Sequence, residues 1–104
     1  MRIALIHALA HSVAPINEEL ERRWPEAVRM NLLDDSLSAD LARNGAGLDG
    51  TMHQRFEDLT AYAERSGANA ILFTCSAFGP CIEAVAARRH HMPVLKPNEA
   101  MVAD

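Results

Sequence analysis

The apolar positions of this 104-residue chain fall into short continuous runs, separated by stretches with a period of three to four residues. Ile3 to Ile6 is unbroken, as expected of a strand covered on both faces. Val13, Ile16, Leu20 and Trp24 then recur on one face of a helix that Ser12 is placed to cap. Pro15 falls in the first turn, where its missing amide hydrogen costs nothing, and Pro25 ends the element. Val28, Met30 and Leu32 alternate with Arg29 and Asn31, which predicts a half-exposed strand at a sheet edge. The polar stretch from Asp34 to Gly50 is long enough for a functional loop or a short helix. Met52, Phe56, Leu59 and Ala63 form the next helical stripe, stopped by Gly67. Ala70 to Phe73 is a third strand, and Gly79-Pro80 opens a helix with Ile82, Val85 and Ala86 inward. Arg88 to His91 put positive charge and a solvated His90-His91 pair at its C-terminal end, where the helix dipole favours cations. Val94-Leu95 is a short fourth strand, and Pro97 starts a further helix.

This alternation predicts an α/β fold, a three-layer doubly wound parallel sheet of four strands in the order 2-1-3-4. Residues 1–104 then form a single α/β lobe. Ligands of such sheets lie beyond the carboxyl ends of the strands, where the winding reverses. That point falls between the ends of the first and third strands, so topology nominates His7–Ser12 and Thr74–Gly79.

Composition narrows the class. A mass of 11.4 kDa allows one domain, and 49% hydrophobic residues supply one modest core. Ten basic against fourteen acidic residues leave a net charge of −4 and a pI near 5.7, without the footprint of a nucleic-acid or acidic-membrane binder. The start imitates a secretory signal, with Ala8-Leu9-Ala10 as a cleavage-like triplet, but the apolar run is short, contains His7 and follows a single charge. No segment approaches the ~20 apolar residues of a membrane span. Two cysteines suit a reducing compartment. The expectation is a soluble cytoplasmic protein that uses neither nucleic acid nor membrane.

Cys75 is the first candidate for chemistry, because Thr74-Cys75-Ser76-Ala77-Phe78-Gly79-Pro80 is where a strand hands over to a helix. Amides of a coming helix would lower the thiol pKa, and the thiolate is the reactive form. The opposing reading is a buried, inert cysteine at a strand end. Cys81 is not in a C-x-x-C pair with Cys75 and reads as packing. Five histidines show no metal-ligand spacing, so no metal is expected. His7 and His11 flank the nominated crevice, as polar contacts or as a proton partner for Cys75. Gly45-Ala46-Gly47-Leu48-Asp49-Gly50 matches G-x-G-x-x-G, but no strand precedes it and no acid follows at the right distance, so the match is a coincidence. Asp34-Asp35-Ser36 is either a turn or a wall of the crevice, with Asp34 contacting a substrate amine or hydroxyl.

With Cys75 in place, the chain resembles the cofactor-independent Asp/Glu racemase superfamily of aspartate, glutamate and hydantoin racemases, arylmalonate decarboxylases and maleate isomerases. The likeness rests on the first strand ending near His7, Leu33-Asp34-Asp35-Ser36-Leu37, Ile71-Leu72-Phe73-Thr74-Cys75-Ser76-Ala77, and Pro93-Val94-Leu95 with Asn98-Glu99-Ala100-Met101. It spans nearly the whole chain, which resembles the first lobe of a two-lobe protein whose site lies between the lobes. The resemblance implies that Cys75 abstracts a proton alpha to a carboxylate or carbonyl, without a cofactor. Thr74, Ser76 and the Ala77 amide would hold that group, with His7, His11, Ser12 and Asp34 around the substrate. A second cysteine would face the opposite side of the carbon acid, and Cys81, on the same lobe, cannot replace it. A second lobe or another copy is therefore the expected partner. Two other readings stand beside this one: a ligand-binding or interaction module of the same fold, and a cysteine hydrolase using Cys75 and a crevice histidine.

Overall fold

The computed structural model describes residues 1–43, 45 and 47–96, so the helix expected from Pro97 lies outside the described residues. Four strands, β1 (Arg2–His7), β2 (Val28–Leu33), β3 (Ala70–Phe73) and β4 (Val94–Leu95), form one sheet in the order β2-β1-β3-β4. Every neighbouring pair is parallel, as expected. Helix α1 (Val13–Arg23) packs on one face. Helices α2 (Ser36–Arg43), α3 (Gly50–Arg65) and α4 (Gly79–Ala87) cover the other. Thus α2 fills the middle of the long polar stretch.

The two-residue period of a strand sorts the core into two parts. Ile3, Leu5, Ala70 and Leu72 face α1, where Ile16 and Leu20 complete a small cluster. Ala4, Ile6, Ile71 and Phe73 face the larger cluster with Leu37, Met52, Phe56, Ala63, Ile82 and Val85. The Phe56 ring lies 5.4 Å from that of Phe73 and 5.0 Å from that of Phe78. Aromatic pairs at such separations contribute about 0.5–1.5 kcal/mol beyond their buried area. β2 is the exposed edge, with Val28 and Leu33 open to solvent and Met30 and Leu32 packed against the core.

Local chemistry sets the ends of the elements. The Asp49 carboxylate accepts the Met52 amide at 3.0 Å and caps α3. The segment matching G-x-G-x-x-G thus joins α2 to α3 and follows no strand, which accords with a coincidental match. Gly67, just past α3, has φ of 89°, a left-handed conformation that glycine adopts without a Cβ clash.

One expectation is corrected. Ser12 does not cap α1 with its side chain, because a 3-10 turn at Ala10–Ser12 runs straight into the helix and holds Ser12 in a helical conformation. Its hydroxyl donates instead to the Leu9 carbonyl at 2.8 Å. The His90-His91 pair after α4 is exposed, as expected, while its neighbour is not. Arg89 is buried and its guanidinium bridges Glu57 at 2.7 Å and Glu64 at 2.8 Å, tying α4 to α3. His91 pairs with Glu64 at 2.8 Å. Among the described residues no helix is long and apolar enough to cross a membrane.

Candidate functional site

The carboxyl ends of β1 and β3 bring His7, Ser12 and Thr74 together. The ladder continues past β3, where the Thr74 amide donates to the Ile6 carbonyl at 3.0 Å. Thr74 therefore keeps the parity of Leu72 and Ala70 and points to the α1 face. His7 shares that face through Leu5 and Ile3. His7 is fully buried, and its Nδ1 lies 2.7 Å from Thr74 Oγ1 and 3.2 Å from Ser12 Oγ. Its Nε2 lies 2.9 Å from Asn31 Oδ1.

The direction of these hydrogen bonds follows from one donor-only group. Arg29 Nε can only donate, and it donates to Asn17 Oδ1 at 3.1 Å. The Asn17 amide nitrogen must then face the Val13 carbonyl at 2.7 Å and Asn31 Oδ1 at 2.8 Å. The Asn31 amide nitrogen returns a bond to Asn17 Oδ1 at 3.0 Å. Asn31 thus presents an oxygen to the imidazole, so Nε2 carries a proton, and in the neutral ring Nδ1 is the acceptor. Ser12 already gives its hydroxyl proton to Leu9, so of the two hydroxyls near Nδ1 only that of Thr74 has a proton to give it, and Thr74 Oγ1 also lies 3.1 Å from Ser12 Oγ and 3.4 Å from the Ile6 carbonyl. Thr74 and Ser12 are half-buried, while His11, Ser76 and Ala77 are exposed at the rim.

Cys75 faces the other way. It follows the parity of Phe73 and Ile71 into the larger core, and only 7% of it is exposed. Burial pushes its thiol up to about 11, with nearby Cys81 adding to the effect. This runs against the expectation of a thiolate at neutral pH: desolvation of the charged sulfur outweighs the backbone hydrogen bond that favours it. It also corrects the pairing of Cys75 with His7, because His7 lies across the sheet and bonds Thr74. Cys81 is completely buried, as expected of a packing residue.

Asp34 is engaged at the end of β2. Its amide donates to the His7 carbonyl at 3.0 Å, so it borders the site through the backbone. Partial burial alone would raise its carboxyl, but bonds from the Ser36 hydroxyl and amide and from Arg55 hold it below the ordinary range. Arg55 also reaches Asp40 at 2.8 Å. A separate cavity of about 400 Å³ lies at the start of α3, lined by Asp40, Arg43, Asp49, Thr51, Met52 and Arg55. Among the described residues no group of three or more His, Cys, Asp or Glu side chains is arranged to hold a metal ion.

Asn17, Asn31 and Arg29 complete the network, and sequence reasoning missed them. The alternation of β2 assigns Arg29 and Asn31 to the face opposite Met30 and Leu32, which was the available signal. Compared with known protein families, characterised proteins and solved structures, the chain matches none.

Proposed function

We propose that this chain is a ligand-binding α/β lobe of the Asp/Glu racemase type, which takes a small carboxylate or carbonyl compound at the carboxyl ends of β1 and β3. The observation that carries this reading is the convergence of two half-buried hydroxyls, from Ser12 and Thr74, on the fully buried imidazole of His7. A polar cluster at the point where the winding reverses is where this architecture receives ligands. The exposed Ser76 hydroxyl adds a donor suited to a carboxylate.

The test is thermal unfolding with malonate, aspartate and hydantoin. A compound at a hundred times its Kd adds about 2.7 kcal/mol of stability. The expected result is a saturable rise in Tm that falls away in Thr74→Val and Ser12→Ala. No rise with any of the compounds, or a rise that both variants retain, refutes the reading.

A second reading keeps racemase or isomerase chemistry at Cys75. It is favoured by the position of Cys75 directly after β3, beside the exposed Ser76. With its thiol pushed up to about 11 by burial, Cys75 stays protonated at pH 7. This chemistry therefore needs a second lobe or another copy, which would change the surroundings of the sulfur and supply the acid on the opposite face. Deuterium incorporation at the alpha carbon of candidate amino acids in D2O, lost in Cys75→Ser, is its signature. Ligand binding without incorporation leaves the binding lobe as the sole function.

A further inference from the structure

The geometry points to an acyl-transfer centre in which Thr74 is the nucleophile, His7 the general base and Asn31 a positioning residue for His7. This deepens the proposed ligand site: it rests on a ligand reaching this end of the sheet, but not on Cys75.

Three relations support it. The hydroxyl and the imidazole meet at 2.7 Å, within the reach a nucleophile and its base require. The far nitrogen of the same ring is 2.9 Å from an amide oxygen, which fixes the tautomer that leaves Nδ1 free to accept a proton. That amide is itself held by Asn17 and, through it, by Arg29, so the ring orientation is imposed by the fold. Base and orienting group come from adjacent strands, and the nucleophile from the residue after a third. Placement on rigid elements of this kind is what a preorganised site requires. Thr74 is half-buried and His7 fully buried, so a ligand arriving from solvent meets Thr74 before His7.

The fitting substrate class is an ester or thioester of a small carboxylic acid. Thr74 Oγ1 attacks the carbonyl carbon and forms a C–O bond, while its proton passes to His7 Nδ1. The imidazolium keeps its Nε2 proton on Asn31. Collapse of the tetrahedral adduct breaks the bond to the alkoxide or thiolate leaving group, which takes the proton from Nδ1. Water then attacks the acyl-threonine, Nδ1 accepts its proton, and the carboxylic acid departs as the proton returns to Thr74. The released acid belongs to the class proposed as the ligand.

The experiment uses p-nitrophenyl acetate with the full chain, following p-nitrophenol release and mapping acetyl groups by peptide mass spectrometry. Expected are an acetyl group on Thr74, a loss of about 100-fold or more in Thr74→Val, and recovery to within about tenfold in Thr74→Ser. His90→Gln, at an exposed histidine remote from the cluster, leaves the rate unchanged. Asn31→Asp places a carboxylate on Nε2 and moves the acidic limb of the kcat/KM profile to higher pH, which a merely structural role would not do. His7→Gln falls as far as Thr74→Val. If it does not fold, the Thr74 pair and the Asn31→Asp profile decide. A wild-type rate in Thr74→Val, or acetyl groups only on Cys75 or exposed side chains, overturns the inference. A carboxylate that raises Tm in a chain that never acetylates Thr74 overturns this inference alone. Acetylation of Thr74 without any carboxylate binding overturns the binding proposal alone.

Discussion

Thr74 and Cys75 are neighbours in the chain but belong to opposite faces of the sheet. Thr74 turns toward α1 and joins a row of hydrogen-bonded side chains running through His7, Asn31 and Asn17 to Arg29. Cys75 turns toward α3 and α4 and lies in a core with Phe73, Phe56 and Phe78. One residue of strand parity separates a polar environment from an apolar one. Proximity to the end of a strand therefore says little about reactivity until the side to which the residue points is known.

The largest effect expected from this contrast is on the apolar face. Phe56→Ala removes the ring that packs on both Phe73 and Phe78, and should cost about 3–5 kcal/mol, read from the urea midpoint. On the polar face, His7→Leu strips the partner from Thr74 and Asn31 and should cost about 1–3 kcal/mol by the same measurement. A larger loss for His7→Leu than for Phe56→Ala would break the comparison, because the polar face would then dominate stability.

A third effect, absent at neutral pH, is the pH dependence carried by Cys75. Its folded pKa, near 11, lies above the unfolded value of about 8.5. The neutral thiol is therefore favoured by folding, and its contribution is fully present below about pH 8.5. That contribution is lost as pH rises through 8.5 toward 11, since the unfolded chain releases its proton first. Denaturant midpoints between pH 8 and 10.5 should fall in the wild type, and Cys75→Ala should flatten that slope. An unchanged slope in Cys75→Ala would assign the alkaline loss to other groups.

Much of the fold was legible because apolar runs and helical stripes report burial directly. Ile3 to Ile6 and Ala70 to Phe73 marked the two central strands, and the alternation around Arg29 and Asn31 marked the edge. The nominated end of the sheet does hold a polar cluster. The role of each residue there was less legible. Extending the parity of Ala70 to Phe73 by two positions sends Cys75 inward, whatever the dipole of the segment that follows. Asn17 and Asn31 are polar residues on an amphipathic helix and an edge strand, where solvation is the ordinary expectation. Only the register that sets Asn31 beside Leu5, two residues before His7, reveals their shared task. Arg89 was hidden for a similar reason, since Glu57 and Glu64 lie far from it in sequence.

The two coverings of the sheet also differ in how firmly they are fastened. Helix α3 buries Met52, Phe56, Thr60 and Ala63 completely or nearly so, and Arg89 rivets it to α4. Helix α1 has no fully buried residue and is held by half-buried contacts at Ile16 and Leu20 and by the Asn17 amide. Segments with few buried contacts open at the lowest free energy. Helix α1 should therefore open at a lower free energy than α3, and the slack side of the sheet is the one that carries Ser12 and Thr74.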